Sequence, residues 1–262
     1  MAPQRRSHDP PAPWAERRTL VADDGTRLAV AHAPPAAGPH DLGAVVAHGF
    51  TGSLSDAGYR RVVEWLTAAG VGVVGLDFRG HGGSAGLTTM GDQEVLDAEA
   101  ALGWLRLLGY RRQLTVGFSM GGAVVLRHAA MVGGVGGVVS VSAPGRWYYR
   151  GTPSMRRAHF VVEHPVGRWM ARTLRNTRVA PEGWDPLPMS PRDAAAQIAV
   201  PLLVVHGDSD AYFPLDHAED LARAGSATLW VEPGFGHAEN AASPQLMGRI
   251  AAWALENVEE KA

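Results

Sequence analysis

Two serines in this chain sit in a Gly-x-Ser-x-Gly pattern: Ser119 in Gly117-Phe118-Ser119-Met120-Gly121, and Ser84 in Gly82-Gly83-Ser84-Ala85-Gly86. Nucleophilic chemistry at such a serine needs a strand before it and a helix directly after it. The sharp turn then lifts the hydroxyl clear of the sheet and aims a helix N-terminus at it. Leu114-Thr115-Val116 reads as a buried strand before Ser119, and Gly121–Leu126 opens a helix after it. Ser84 runs from Gly80-His81-Gly82-Gly83 into Ala85-Gly86-Leu87, which reads as loop, so Ser119 is the candidate nucleophile.

A serine becomes a useful nucleophile only when a base takes its proton, and histidine is the usual base near neutral pH. Among eleven histidines, His237 lies in the Gly-rich stretch Gly234-Phe235-Gly236-His237-Ala238-Glu239, just past a predicted strand. That is where ligand chemistry collects in an open α/β sheet. An acid must hold the imidazole in one tautomer. Asp208 and Asp210 both follow the predicted strand Leu202–Val205, and the residues by themselves leave either open. Strand Val138–Val141 ends in Ser142-Ala143-Pro144, so no acid closes it. Backbone N–H groups must then receive the oxyanion. Met120, after the nucleophile, and Phe50, in the loop His48-Gly49-Phe50-Thr51-Gly52, are the candidates.

These residues need a scaffold of alternating strands and helices. Short unbroken apolar runs at Ala44–Ala47, Val71–Leu76, Leu114–Phe118, Val138–Val141, Leu202–Val205 and Thr228–Val231 read as strands buried on both faces. Helices are expected at Asp56–Ala69, Asp92–Leu108, Met120–Met131, Leu215–Ala224 and Pro244–Val258. A hairpin around Asp23-Asp24-Gly25-Thr26 precedes them, and a Pro/Gly loop follows it at Pro34–Pro39. The fold class is α/β, a mostly parallel doubly wound sheet with flanking helices. Residues 1–16 are expected as a loose arm, 17–144 and 193–262 as the core, and 145–192 as an inserted cap.

The cap holds nine arginines against Glu163, Glu182 and Asp185, formally +6 in a chain whose net charge is −2. It also carries Trp147, Tyr148, Tyr149, Trp169 and Trp184; Trp147, Tyr148 and Trp184 are the candidate pocket residues. One reading is an Arg-rimmed mouth for an anionic substrate such as an acyl-CoA. The other is a solvated basic surface over a few core aromatics, which is what charge runs ordinarily mark and is favoured here. Attraction to an anionic membrane surface finds no amphipathic helix of convincing length in the sequence.

Composition narrows the remaining classes. With no cysteine, disulfides, thiolate catalysis and Cys-based zinc sites are excluded. The near-neutral charge makes no case for nucleic acid. No long apolar run predicts a membrane span, and the N-terminus does not read as a secretory signal. A cytoplasmic protein is expected, with no metal or organic cofactor needed and no indication of oligomeric state.

Taken in order, the motifs resemble the α/β-hydrolase superfamily from about Arg17 to the C-terminus. His48-Gly49-Phe50 looks like its oxyanion motif, Asp77-Phe78-Arg79-Gly80-His81-Gly82 like its segment after the next strand, Gly117–Gly122 like its nucleophile elbow, and His206-Gly207-Asp208-Ser209-Asp210 with Pro214 like its acid loop. The resemblance selects Asp210 as the acid, completing a triad of Ser119, Asp210 and His237. It implies a serine hydrolase of small or medium carboxylic esters; a thioesterase or carbon–carbon hydrolase with the same triad, or a ligand receptor on the same fold, are the alternatives. Serine at the elbow speaks against haloalkane dehalogenases and the usual epoxide hydrolases.

Overall fold

A computed structural model of the chain describes residues 13–37 and 41–260. Eight strands form one sheet: β1 (Glu16–Val21), β2 (Arg27–Ala33), β3 (Leu42–Ala47), β4 (Gly72–Leu76), β5 (Arg112–Phe118), β6 (Gly137–Val141), β7 (Leu202–Gly207) and β8 (Thr228–Glu232). Their spatial order is β1-β2-β4-β3-β5-β6-β7-β8, with the β1–β2 and β2–β4 pairings antiparallel and every later pairing parallel.

Successive residues of a strand point to opposite faces, so a sheet covered on both sides needs apolar residues at every position. On β3, Val45 and Ala47 join one core, while Leu42, Ala44 and Val46 join the other. The first core is closed by α2 (Glu94–Leu107), α3 (Met120–Met131) and α7 (Asp216–Ala224). The second is closed by α1 (Ala57–Ala68) and α9 (Pro244–Asn257).

Between β6 and β7 lie α4 (Pro153–Glu163), α5 (Pro165–Arg175) and the short α6 (Pro191–Ala195). Thr152, His164 and Ser190 each accept a backbone N–H of the following first turn, and proline begins each helix. There its missing N–H costs nothing. Ala194 and Ala195 of α6 sit in the first core, so the end of the insertion packs with the sheet helices. Arg178–Ala180 is stitched to the loop after β4, with Arg178 N–H donating to Gly80 O at 2.7 Å and Thr88 N–H to Arg178 O at 2.8 Å.

Two expectations change. Residues 1–12 of the expected arm lie outside the described residues, as do 38 and 39 of the Pro/Gly loop. Trp14, however, packs 6.2 Å from the Tyr59 ring, Ala15 N–H donates to His32 O, and β1 begins at Glu16. The tail of the arm is thus pinned by aromatic burial and the first rung of the hairpin. The cap also contains an amphipathic helix, α5, which the sequence did not reveal. Among the described residues no helix is long and apolar enough to cross a membrane.

Candidate active site

The site lies at the carboxyl ends of β3, β5, β7 and β8, where the loops leave the sheet. Ser119 stands between β5 and α3 with φ 51° and ψ −115°, a conformation that costs a non-glycine residue about 1–3 kcal/mol. Close packing enforces it. A Cβ on Gly117 would fall 2.2 Å from Gly121 O, and one on Gly121 would fall 2.4 Å from Ala47 O. Only glycine at both positions lets the turn press against the end of β3. The Ser119 N–H is held by Val141 O at 2.8 Å, which leaves the hydroxyl projecting above the sheet.

His237 Nε2 lies 3.0 Å from Ser119 Oγ, and His237 Nδ1 lies 2.8 Å from Asp210 Oδ2. An ionised carboxylate only accepts, so Nδ1 carries the proton and the Nε2 lone pair faces the serine. Burial pushes the Asp210 carboxyl up. The bond from His237 and the N–H groups of Tyr212 (2.7 Å) and Phe213 (3.1 Å) on Oδ1 outweigh this and hold it below its ordinary value. Tyr212 stacks on the imidazole with ring centroids 4.1 Å apart, which limits its swing.

Asp208, which the residues alone left open, does something else. It is exposed, and its Oδ1 takes the Gly234 N–H at 2.7 Å, tying the acid loop to the histidine loop. Ser84 is buried; its hydroxyl donates to Asp77 O and accepts the Ala29 N–H, so it fastens β2 to the turn after β4.

Phe50 and Met120 border the cavity that opens above Ser119. Neither backbone N–H is taken by a hydrogen bond among the described residues. The loop that carries Phe50 is braced from below by two neutral histidines. His48 Nδ1–H donates to Gly49 O, and its Nε2 accepts the Phe78 N–H at 3.1 Å. His81 Nδ1–H donates to Arg79 O, and its Nε2 accepts the Thr51 N–H at 3.3 Å. Burial pushes His48 down to about 4 and His81 to about 3, so both stay neutral as those bonds require. The Asp77–Gly82 segment is equally structural: Arg79 is buried and bonds Asp97 through two side-chain nitrogens.

Two site residues escaped the sequence reading. Glu239, buried beside His237, accepts the Gly49 N–H at 2.6 Å. Ser142, at the strand end where an acid was sought, accepts the Ala238 N–H at 3.2 Å and so steadies the peptide after His237. No motif announces either residue, because each acts through a backbone group distant in sequence.

The cavity has a volume of about 790 Å³. Its roof is aromatic: Trp147 and Trp184 lie 4.9 Å apart, and Tyr148 meets Trp184 edge-on at 5.4 Å. Trp184 Nε1–H donates to Thr89 O and Trp147 Nε1–H to Pro188 O, which fixes both indoles. The three candidate pocket residues are thus brought together above Ser119. Arg146, Arg157 and Arg175 share the lining with six acidic side chains. Arg146 is taken up by Asp216 and Asp220, and Arg150 by Glu163. Among the described residues no three His, Asp or Glu side chains gather as a metal-holding group.

With this geometry in hand, residues 39–186 match the model of the Hydrolase_4 family, described as serine aminopeptidase, S33. The chain belongs to this family, within the α/β-hydrolase superfamily of serine hydrolases. The uncharacterized protein YfhR of Escherichia coli K12 is 27% identical over 220 residues, 80% of this chain and 69% of that protein. The fold is shared with the esterase Pf2001 of Pyrococcus furiosus (TM-score 0.73, 22% identity, 93% of each chain). It is also shared with Est1E of Butyrivibrio proteoclasticus, solved with ferulic acid bound (TM-score 0.65, 21% identity, 92% of this chain and 99% of that one).

Proposed function

We propose that the protein hydrolyses small or medium carboxylic esters through an acyl-enzyme on Ser119. The observation that carries this reading is the relay of Asp210, His237 and Ser119 beneath an aromatic cavity, with two unengaged N–H groups at its floor. Ser119 Oγ attacks the ester carbonyl as His237 Nε2 takes its proton. The Phe50 and Met120 N–H groups stabilise the oxyanion. His237 returns the proton to the departing alkoxide, and Asp210 stabilises the imidazolium in between. Water, deprotonated by His237, then releases the acid and restores Ser119. The step needs no group beyond these residues and water.

The lining favours neutral esters over acyl-CoA, because its three arginines are outnumbered by carboxylates. The name of one protein of the same fold, the esterase Pf2001, agrees with this reading. The test is a panel of p-nitrophenyl esters of increasing chain length with the matching acyl-CoAs, run on wild type and Ser119→Ala. Ester turnover lost in the variant supports the proposal. Absent turnover in a protein that labels at Ser119 with a fluorophosphonate would redirect it to thioester, amide or carbon–carbon bonds. Absent labelling would favour a ligand receptor.

A further inference from the structure

Helix α5 turns its apolar stripe to solvent. Of its eleven residues only Gly167 and Ala171 are buried. Gly167 lies so close to α4 that a Cβ would fall 2.4 Å from Phe160 O. Val166, Trp169, Met170 and Leu174 follow at the spacing of a single helical face, and Trp169 and Leu174 are 63% and 71% exposed. Where α4 meets α5, Phe160 is also exposed and stacks on His164. A soluble surface rarely leaves such a contiguous apolar stripe uncovered without a use for it.

Charge identifies the occupant. Residues 153–175 carry Arg156, Arg157, Arg168, Arg172 and Arg175 against Glu163 alone, and Arg150 and His159 already hold Glu163. An apolar stripe flanked by arginines, with no acidic residue on its own helix, is the pattern of a helix lying in a lipid interface. A second copy of the chain fits poorly, since a two-fold contact would set this cationic patch against itself. Met155, Ala158, Val161 and Val162 of α4 line the cavity, so α4 separates the exposed stripe from the site.

We infer that α5 docks the cap on an anionic lipid surface, with Trp169 and Leu174 inserted among the acyl chains and Arg172 at the headgroups. The docking rests on no catalytic assignment. Resting on the ester-hydrolase reading, it makes esters that partition into such surfaces the natural substrates.

The test is co-sedimentation of the whole chain with phosphatidylglycerol vesicles and with phosphatidylcholine vesicles, at low and high salt. Wild type should partition onto the anionic vesicles and be released by salt. Trp169→Ser with Leu174→Ser should weaken partitioning about tenfold or more, and Arg172→Gln about fivefold, with thermal midpoints unchanged because all three side chains are exposed. Absence of wild-type partitioning, or equal partitioning by the double variant, overturns the proposal. So does a concentration-dependent dimer, abolished by the double variant, in a protein that ignores vesicles; the stripe would then belong to a second copy. Vesicle binding without ester turnover keeps the docking and removes the hydrolase reading; turnover without binding does the reverse.

Discussion

The buried carboxylate of Glu239 accepts the Gly49 N–H at 2.6 Å and thereby joins the histidine loop to the oxyanion loop. Glu239 stands two residues after His237, and Gly49 directly precedes Phe50. One hydrogen bond therefore sets the position of the proposed base relative to a proposed oxyanion donor. Glu239→Ala leaves a buried N–H unpaired, at about 1–3 kcal/mol. It should lower kcat on a soluble ester about tenfold or more with KM little changed, since a displaced donor is felt in the transition state. Glu239→Gln retains an acceptor and should recover most of that loss. Steady-state kinetics of the two variants decide the matter, and equal losses would reduce Glu239 to a packing residue.

The two aspartates of the acid loop make a sharper comparison. Asp210 bonds His237, whereas Asp208 bonds the Gly234 N–H and is exposed. Asp210→Asn should lower kcat about 10⁴-fold, as expected when the imidazole is left in the wrong tautomer. Asp208→Asn should cost about tenfold at most, because an amide oxygen can still accept from Gly234. The reverse order, measured on one ester, would overturn the assignment of the acid.

The sheet was legible in the sequence because strands such as Leu42–Ala47 are buried at every residue and read as unbroken apolar runs. The turn at Ser119 was legible because Gly117 and Gly121 are required by backbone contacts within 2.4 Å. The choice between Asp208 and Asp210 needed resemblance, since two residues in one loop differ only in where their side chains turn. The cap helices were missed for a physical reason: α4 buries no residue and α5 only two small ones, so no core-facing periodicity marks them. Their caps were present all along, in Thr152-Pro153 and His164-Pro165. Glu239 left no trace, because its partner is a backbone N–H 190 positions away.

The neutral histidines beneath the oxyanion loop predict a pH-dependent stability. His48 is held near 4 by burial, against about 6.5 in an unfolded chain. Between those values the unfolded state binds the extra proton, so the stability His48 contributes is complete above about pH 6.5 and is lost as pH falls toward 4. Buried carboxyls pushed up, such as Asp97 to about 6, act in the opposite sense, so wild type by itself is ambiguous. The difference between wild type and His48→Gln isolates the imidazole. Their gap in denaturation free energy should shrink by about 3 kcal/mol between pH 7.5 and pH 4. A gap independent of pH would mean that His48 is not held neutral.

The cap arginines should not select anionic substrates. Arg146 bridges Asp216 and Asp220, and Arg150 holds Glu163. Arg156 donates to the carbonyls of Arg150 and Gly151, and Arg168 to those of Val162 and Glu163. Arg178 donates to the Ser84 carbonyl. These hydrogen bonds orient the guanidiniums onto loops and helix ends, and the arginines that reach the cavity meet a surplus of carboxylates. An anion entering would gain little attraction while losing its hydration. Arg157→Gln should therefore change kcat/KM for a neutral p-nitrophenyl ester and for the acyl-CoA of the same chain length by the same factor, within about threefold. A loss on the acyl-CoA alone, suppressed by salt, would restore the Arg-rimmed mouth and make the thioester the better substrate.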